Sequence, residues 1–168
     1  LYVEIVEKNP EITTTDLASA LGLEEVNILN FNPFSEGADP ELVDTASPSV
    51  ESVAIQEADG YYKAGDALMI KVTFSEVVNV AAANPYILME SGATDRQADY
   101  TGGTGTSILN FTYNVVAGDT NSDLDYRDTM ALYANGATIL DEANRAAILT
   151  LPAIGSSGSI SDDQAIIV

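Results

Sequence analysis

The sequence predicts a mostly β protein, an antiparallel β-sandwich over residues 44–168 preceded by a small α/β segment over residues 1–43. Three observations carry this. Leu68, Ile70, Val72 and Phe74 alternate with Ala67, Met69, Lys71 and Thr73, the period of two that places four apolar side chains on one face of a strand. Leu109, Phe111 and Tyr113 repeat the pattern against Ile108, Asn110 and Thr112. Turn chemistry separates such runs at short intervals, as in Lys63-Ala64-Gly65-Asp66, Asp59-Gly60 and the Gly-rich stretch 101–106.

Residues 1–43 read differently. Leu1, Val3 and Ile5 alternate with Tyr2, Glu4 and Val6 as a strand would. Thr13 stands three residues before Asp16 in a capping-like pattern, Leu17, Ala20 and Leu21 follow at helical spacing, and Gly22 is a stop signal. Val26–Phe31 is a second strand candidate. The string 13–23 is also similar to the first helix of a helix-turn-helix, although no basic second helix follows it. From Asn32 to Ser49 the chain turns rich in Pro, Gly, Ser and Asp, which places a domain junction near Val43-Asp44.

Beyond the junction the strand candidates follow in order. Val53 and Ile55 alternate with Ser52, Ala54 and Gln56, the Leu68–Phe74 strand comes next, and Val77, Val78 and Val80 suggest a short second strand behind it. Tyr86–Met89 is apolar on both faces, a polar stretch runs to Tyr100, and the Leu109–Tyr113 alternation follows. Shorter candidates are Met130–Tyr133, Ala137–Leu140, Ile148–Leu151 and Ala165–Val168. Seven or more short strands with turns between them suggest two stacked sheets of immunoglobulin type.

Composition narrows function. The 168 residues hold 26 acidic and 6 basic side chains, a net charge of −20 and a pI near 4.1. Such a surface repels phosphates and anionic headgroups, so nucleic acid is not an expected partner. Membrane insertion is not expected either, because no apolar run approaches a span. The acidity serves either solubility or the supply of carboxylates for a hard cation. With no Cys and no His, disulfides, thiolate sites, His-dependent triads and the usual zinc sites are excluded. A pair of carboxylates such as Glu76 and Glu90 is the surviving catalytic option, and with nothing to fix their separation the chain is read as a non-enzyme. The N-terminus lacks a signal-peptide pattern, and the two ends read as those of a piece of a longer chain.

Residues 44–168, three quarters of the sequence, carry a resemblance. Its motifs are Tyr62-Lys63-Ala64-Gly65-Asp66, then Phe74-Ser75-Glu76 with alternating valines, then Asn110-Phe111-Thr112-Tyr113 leading to Ala117-Gly118-Asp119. Together these resemble the immunoglobulin-like repeats of large bacterial surface adhesins and RTX-type secreted proteins. The resemblance implies an extracellular spacer, monomeric, placed among adjacent repeats of its own chain at a bacterial surface or in a secreted protein, and stiffened by calcium. Residues 1–43 match nothing in that pattern.

Calcium directs attention to the acids. Asp119, Asn121, Asp123, Asp125 and Asp128 place oxygen-bearing side chains at close intervals, and a loop that curls can converge them on one ion. An EF-hand is excluded, because Leu124 stands at the sharp-turn Gly and Met130 at the bidentate Glu. The competing reading is a solvated acidic hairpin partly neutralised by Arg127. A second expected site is the junction, where Asp44 joins acids such as Glu57 or Asp59. Asp141-Glu142 and Asp162-Asp163 read as surface charge. Tyr61, Tyr62, Tyr86, Tyr100, Tyr113, Tyr126 and Tyr133 suggest the alternative function, a carbohydrate-binding module stacking a cell-surface glycan on tyrosine rings. A third class, recognition of a partner protein at an adhesive tip, requires an exposed apolar patch.

Overall fold

The computed structural model describes residues 44–168, so the strand–helix–strand reading of residues 1–43 and its helix-turn-helix alternative lie outside the described residues. The chain divides between Ala46 and Ser47, and the unit described below is Ser47–Val168. It is mostly β. Its strands are β1 (Val50–Ile55), β2 (Gly60–Tyr61), β3 (Ala67–Ala81), β4 (Tyr86–Met89), β5 (Arg96–Gly102), β6 (Thr106–Asn114), β7 (Leu132–Tyr133), β8 (Thr138–Leu140) and β9 (Ile166–Ile167), with one short helix, α1 (Ile160–Asp163).

The strand with the clearest alternation is also the spine. Leu68, Ile70, Val72 and Phe74 of β3 are buried, while Ser75 and Val77 beyond them are exposed. The first part of β3 pairs antiparallel with β1 on one side (Ile55↔Ile70) and β6 on the other (Leu68↔Tyr113, Ile70↔Phe111, Val72↔Leu109). Its register with β6 shifts between Thr73 and Val78, and beyond that shift it takes β8 as partner (Asn79↔Leu140). The strand and short second strand expected from sequence are therefore one strand of 15 residues that changes neighbours at an irregularity. Where two stacked sheets are expected, the backbone pairing runs through one curled antiparallel sheet in the order β1-β3-β6-β5-β4-β7, with β8 joined to β3.

β5 is a strand its own sequence hides. RQADYTG buries only Ala98 completely, and the strand is set by two flanking ladders, Ile87↔Ala98 toward β4 and Tyr100↔Phe111 toward β6. The β5–β6 turn needs glycine at 103, where φ is 104° and a Cβ would stand 2.1 Å from the Ile108 carbonyl oxygen. Ile148–Leu151, expected as a strand, contributes one bridge, Ser49↔Ile148, and a bond from Leu151 N–H to Thr129 O (2.8 Å).

The end of the unit is tied on two sides. β9 pairs parallel with β2 (Gly60↔Ile166, Tyr61↔Ile167). On its other side, Leu124 N–H donates to Ile166 O (2.8 Å), while Asn121 and Val168 exchange bonds of 2.9 and 3.0 Å. Ile160 and Ile166 are completely buried, which anchors the whole segment in the core that β3 and β6 build.

Candidate functional site

Residues 119–128 form a loop whose acids act as hydrogen-bond acceptors for the fold. The Asp119 side chain is 1% exposed. Its Oδ1 accepts from Arg96 Nε (2.8 Å), and its Oδ2 accepts from the Tyr113 hydroxyl (2.7 Å) and Val116 N–H (2.9 Å). Burial alone would raise this carboxyl, but the Val116 N–H, the Arg96 guanidinium and the Tyr113 hydroxyl outweigh it and hold Asp119 below the ordinary carboxylate value. Burial, followed by the bond to Asp119, raises the Tyr113 hydroxyl well above its ordinary value, so it stays a donor.

The other members of the loop are engaged in the same way. Asn121 accepts from Asp123 N–H (2.9 Å) and donates to Glu90 O (2.6 Å). Asp125 is buried, with Oδ1 on Tyr126 N–H (2.8 Å) and Oδ2 on the N–H and hydroxyl of Ser161 (3.2 and 2.7 Å). Asp128 accepts from Met130 N–H (2.7 Å) and Arg127 Nε (2.8 Å), and Arg127 before all else lowers its carboxyl. Asp123 is exposed. No three of Asp119, Asp123, Asp125 and Asp128 bring carboxylate oxygens together, since the one such convergence among the described residues lies elsewhere.

It includes Glu76 and Asp141, both of the Ser47–Val168 unit, whose carboxylate oxygens lie within 4.8 Å of each other. The junction residue Asp44 accepts from Ala46 N–H (3.0 Å) through its Oδ1. Glu57 and Asp59 are used by the backbone instead, accepting from Met69 N–H (2.9 Å) and Ala165 N–H (3.1 Å). Asp141, read from sequence as surface charge, is 3% exposed, whereas its neighbour Glu142 is exposed. The signal for Glu76 was present in the pattern. It keeps the parity of Phe74 and Val78, the inward face of β3, between exposed Ser75 and Val77.

Among the described tyrosines two are buried, Tyr61 is exposed and the others are half-buried. Tyr113 and Tyr126 are buried, the Tyr126 hydroxyl donates to Pro152 O (2.6 Å), and that of Tyr62 donates to Ala58 O (2.5 Å). Tyr100 packs edge-on against Phe111, and Tyr86 and Tyr133 stack on each other at 4.9 Å with Arg127 bonded to the Tyr133 hydroxyl (2.7 Å). Among the described tyrosines Tyr61 alone is widely open, at 85% exposure. Glu76 and Glu90 belong to different settings, Glu76 beside Asp141 and Glu90 beyond β4, where it accepts from Gly92 N–H (3.3 Å).

No protein-family model matches the chain, and neither curated proteins nor solved structures provide a match.

Proposed function

We propose that residues 47–168 are a non-enzymatic spacer of an exported, repetitive bacterial surface protein, a unit that transmits tension along its chain and is stiffened by calcium. One observation carries the reading: the first and last segments of the unit run parallel and are bonded along their length. Val53 N–H donates to Gly158 O (2.7 Å), and Gln164 grips the end of β1 through Ile55 N–H (2.6 Å), Ile55 O (2.8 Å) and Glu57 O (3.1 Å). Ala165 N–H then bonds Asp59, Gly60 N–H bonds Ala165 O (3.0 Å), and Tyr62 N–H bonds Ile167 O (2.8 Å).

Opposed forces at the two ends of the unit slide parallel segments past one another. Their bonds are then loaded together rather than opened one at a time, which raises the barrier to forced unfolding. The Asp125–Ser161 bonds and the Asn121–Val168 pair brace the same final segment from its other side. Single-molecule pulling between handles at the two ends tests this. Gln164→Ala lowers the unfolding force of the Ser47–Val168 unit while leaving its hydrophobic core in place. An unchanged force in that variant contradicts the reading.

A further inference from the structure

Among the described residues, a glycine directly follows an Asp or Asn at Asp59-Gly60 and at Asn135-Gly136. Such pairs are open to a reaction that needs no enzyme, attack of the glycine nitrogen on the side-chain carbonyl carbon one residue back. With no Cβ, glycine leaves that approach clear. The fold treats the two pairs differently. At Asp59-Gly60 both reacting groups are tied, since Gly60 N–H donates to Ala165 O (3.0 Å) and Asp59 Oδ1 accepts from Ala165 N–H (3.1 Å).

Asn135-Gly136 forms the centre of the turn between β7 and β8. A bond from Ala137 N–H to Ala134 O (2.9 Å) closes the turn, with φ of 53° at Asn135 and 81° at Gly136. Positive φ at both central positions defines a type I′ turn, whose closing bond makes no use of the N–H between them. Gly136 N–H accordingly has no partner in the protein, and both residues are exposed. One contact restrains the side chain, a bond from Asn135 Nδ2 to Asn84 O (3.1 Å) that is open to water. Turning over the Asn135–Gly136 peptide takes a type I′ turn toward type II′ and keeps its closing bond. The carboxamide carbon therefore reaches the Gly136 nitrogen without unfolding of either strand.

We propose that Asn135 is a site of spontaneous deamidation in the folded protein, and that Ala165 holds Asp59 against the corresponding reaction. Gly136 N bonds to Asn135 Cγ and gives up its proton, the Cγ–Nδ2 bond breaks, and ammonia leaves behind a five-membered succinimide. Water then opens the ring. Cleavage of the bond from Gly136 N to Cγ gives aspartate, and cleavage of the bond from Gly136 N to the Asn135 main-chain carbonyl carbon gives isoaspartate. The sum is one amide and one water converted to one carboxylic acid and one ammonia, with no oxidant or reductant. Either product lacks the N–H that Asn84 O accepts, and isoaspartate also adds a methylene to the main chain inside a tight turn. The change is one-way, and it loosens the short ladders that β7 makes with β4 and β8 with β3. It does not depend on the spacer reading.

Incubation of the full chain in mildly alkaline buffer, followed by peptide mapping with aspartate and isoaspartate resolved, tests the site. The expected result is conversion of Asn135 in the folded chain about tenfold or more faster than any other described Asn. Asp59 stays unisomerised until denaturant removes the hold of Ala165. Gly136→Ala slows the conversion of Asn135 by about tenfold or more. Because Ala is strained at this φ, that comparison is repeated in denaturant, where the turn plays no part. Asn135 left intact in the folded chain over the time that converts it in denaturant, or intact in both, overturns the proposal. Equal isomerisation of Asp59 in the folded and denatured chains overturns its second half.

Discussion

Two acidic regions of this unit use the same side chain in opposite ways. In residues 119–128, buried Asp119 and Asp125 each find donors for both oxygens, and the carboxylates fasten β6, β5 and the last segment of the chain to one another. At the turn after β8, Asp141 fills one oxygen from Arg145 N–H and leaves the other buried without a hydrogen-bond partner. The spacing of acids along the sequence favours the first region as an ion loop. The hydrogen bonds argue against it, because a carboxylate such as Asp119, with one oxygen on a guanidinium and the other on a hydroxyl and an N–H, has little left to give a metal.

The difference can be broken most forcefully at Asp119. Replacing it by Ala strands the Tyr113 hydroxyl and the Val116 N–H and leaves Arg96 without its carboxylate, and should cost about 3 kcal/mol by denaturant titration. If the loop is a lock rather than a site, that loss is the same in calcium and in chelator. Asp125→Ala should follow at about 2 kcal/mol, since Ser161 and Tyr126 N–H lose their acceptor in a buried setting. A loss that appears only in calcium would return the ion to residues 119–128.

Acid supplies a gentler test of the same lock. The Asp119 carboxyl is held below its ordinary value in the folded unit, so its stabilisation is complete above the unfolded value of about 3.9 and disappears as pH falls through the folded one. Asp119→Asn should therefore flatten the decline of stability below about pH 4, and an unaltered slope would show that Arg96 and Tyr113 do not hold the charged form. The smallest effect is expected at Asp123, which is exposed. Asp123→Asn should change stability by less than about 0.5 kcal/mol and leave calcium binding as it was.

Much of the fold was legible because alternation reports burial directly. The β3 and β6 core faces stand as the period of two places them, and the Lys63–Asp66 turn closes with a bond from Asp66 N–H to Lys63 O (2.9 Å). β5 was not legible, since its strand character comes from neighbours on both edges rather than from its own side chains. The parallel tie between β2 and β9 was equally hidden, being a contact between residues more than a hundred positions apart. The acids mark the same limit. Local spacing shows which carboxylates can share a loop, but Asp141 and Glu76 meet only because β3 changes partners after Thr73.

The most direct measurement is the carbon-13 carboxyl NMR spectrum of the labelled chain during titration with calcium. The account predicts that the side-chain carboxyl signals of Asp119, Asp125 and Asp128 stay in place. Saturating shifts at Asp119, Asp125 and Asp128 would contradict it.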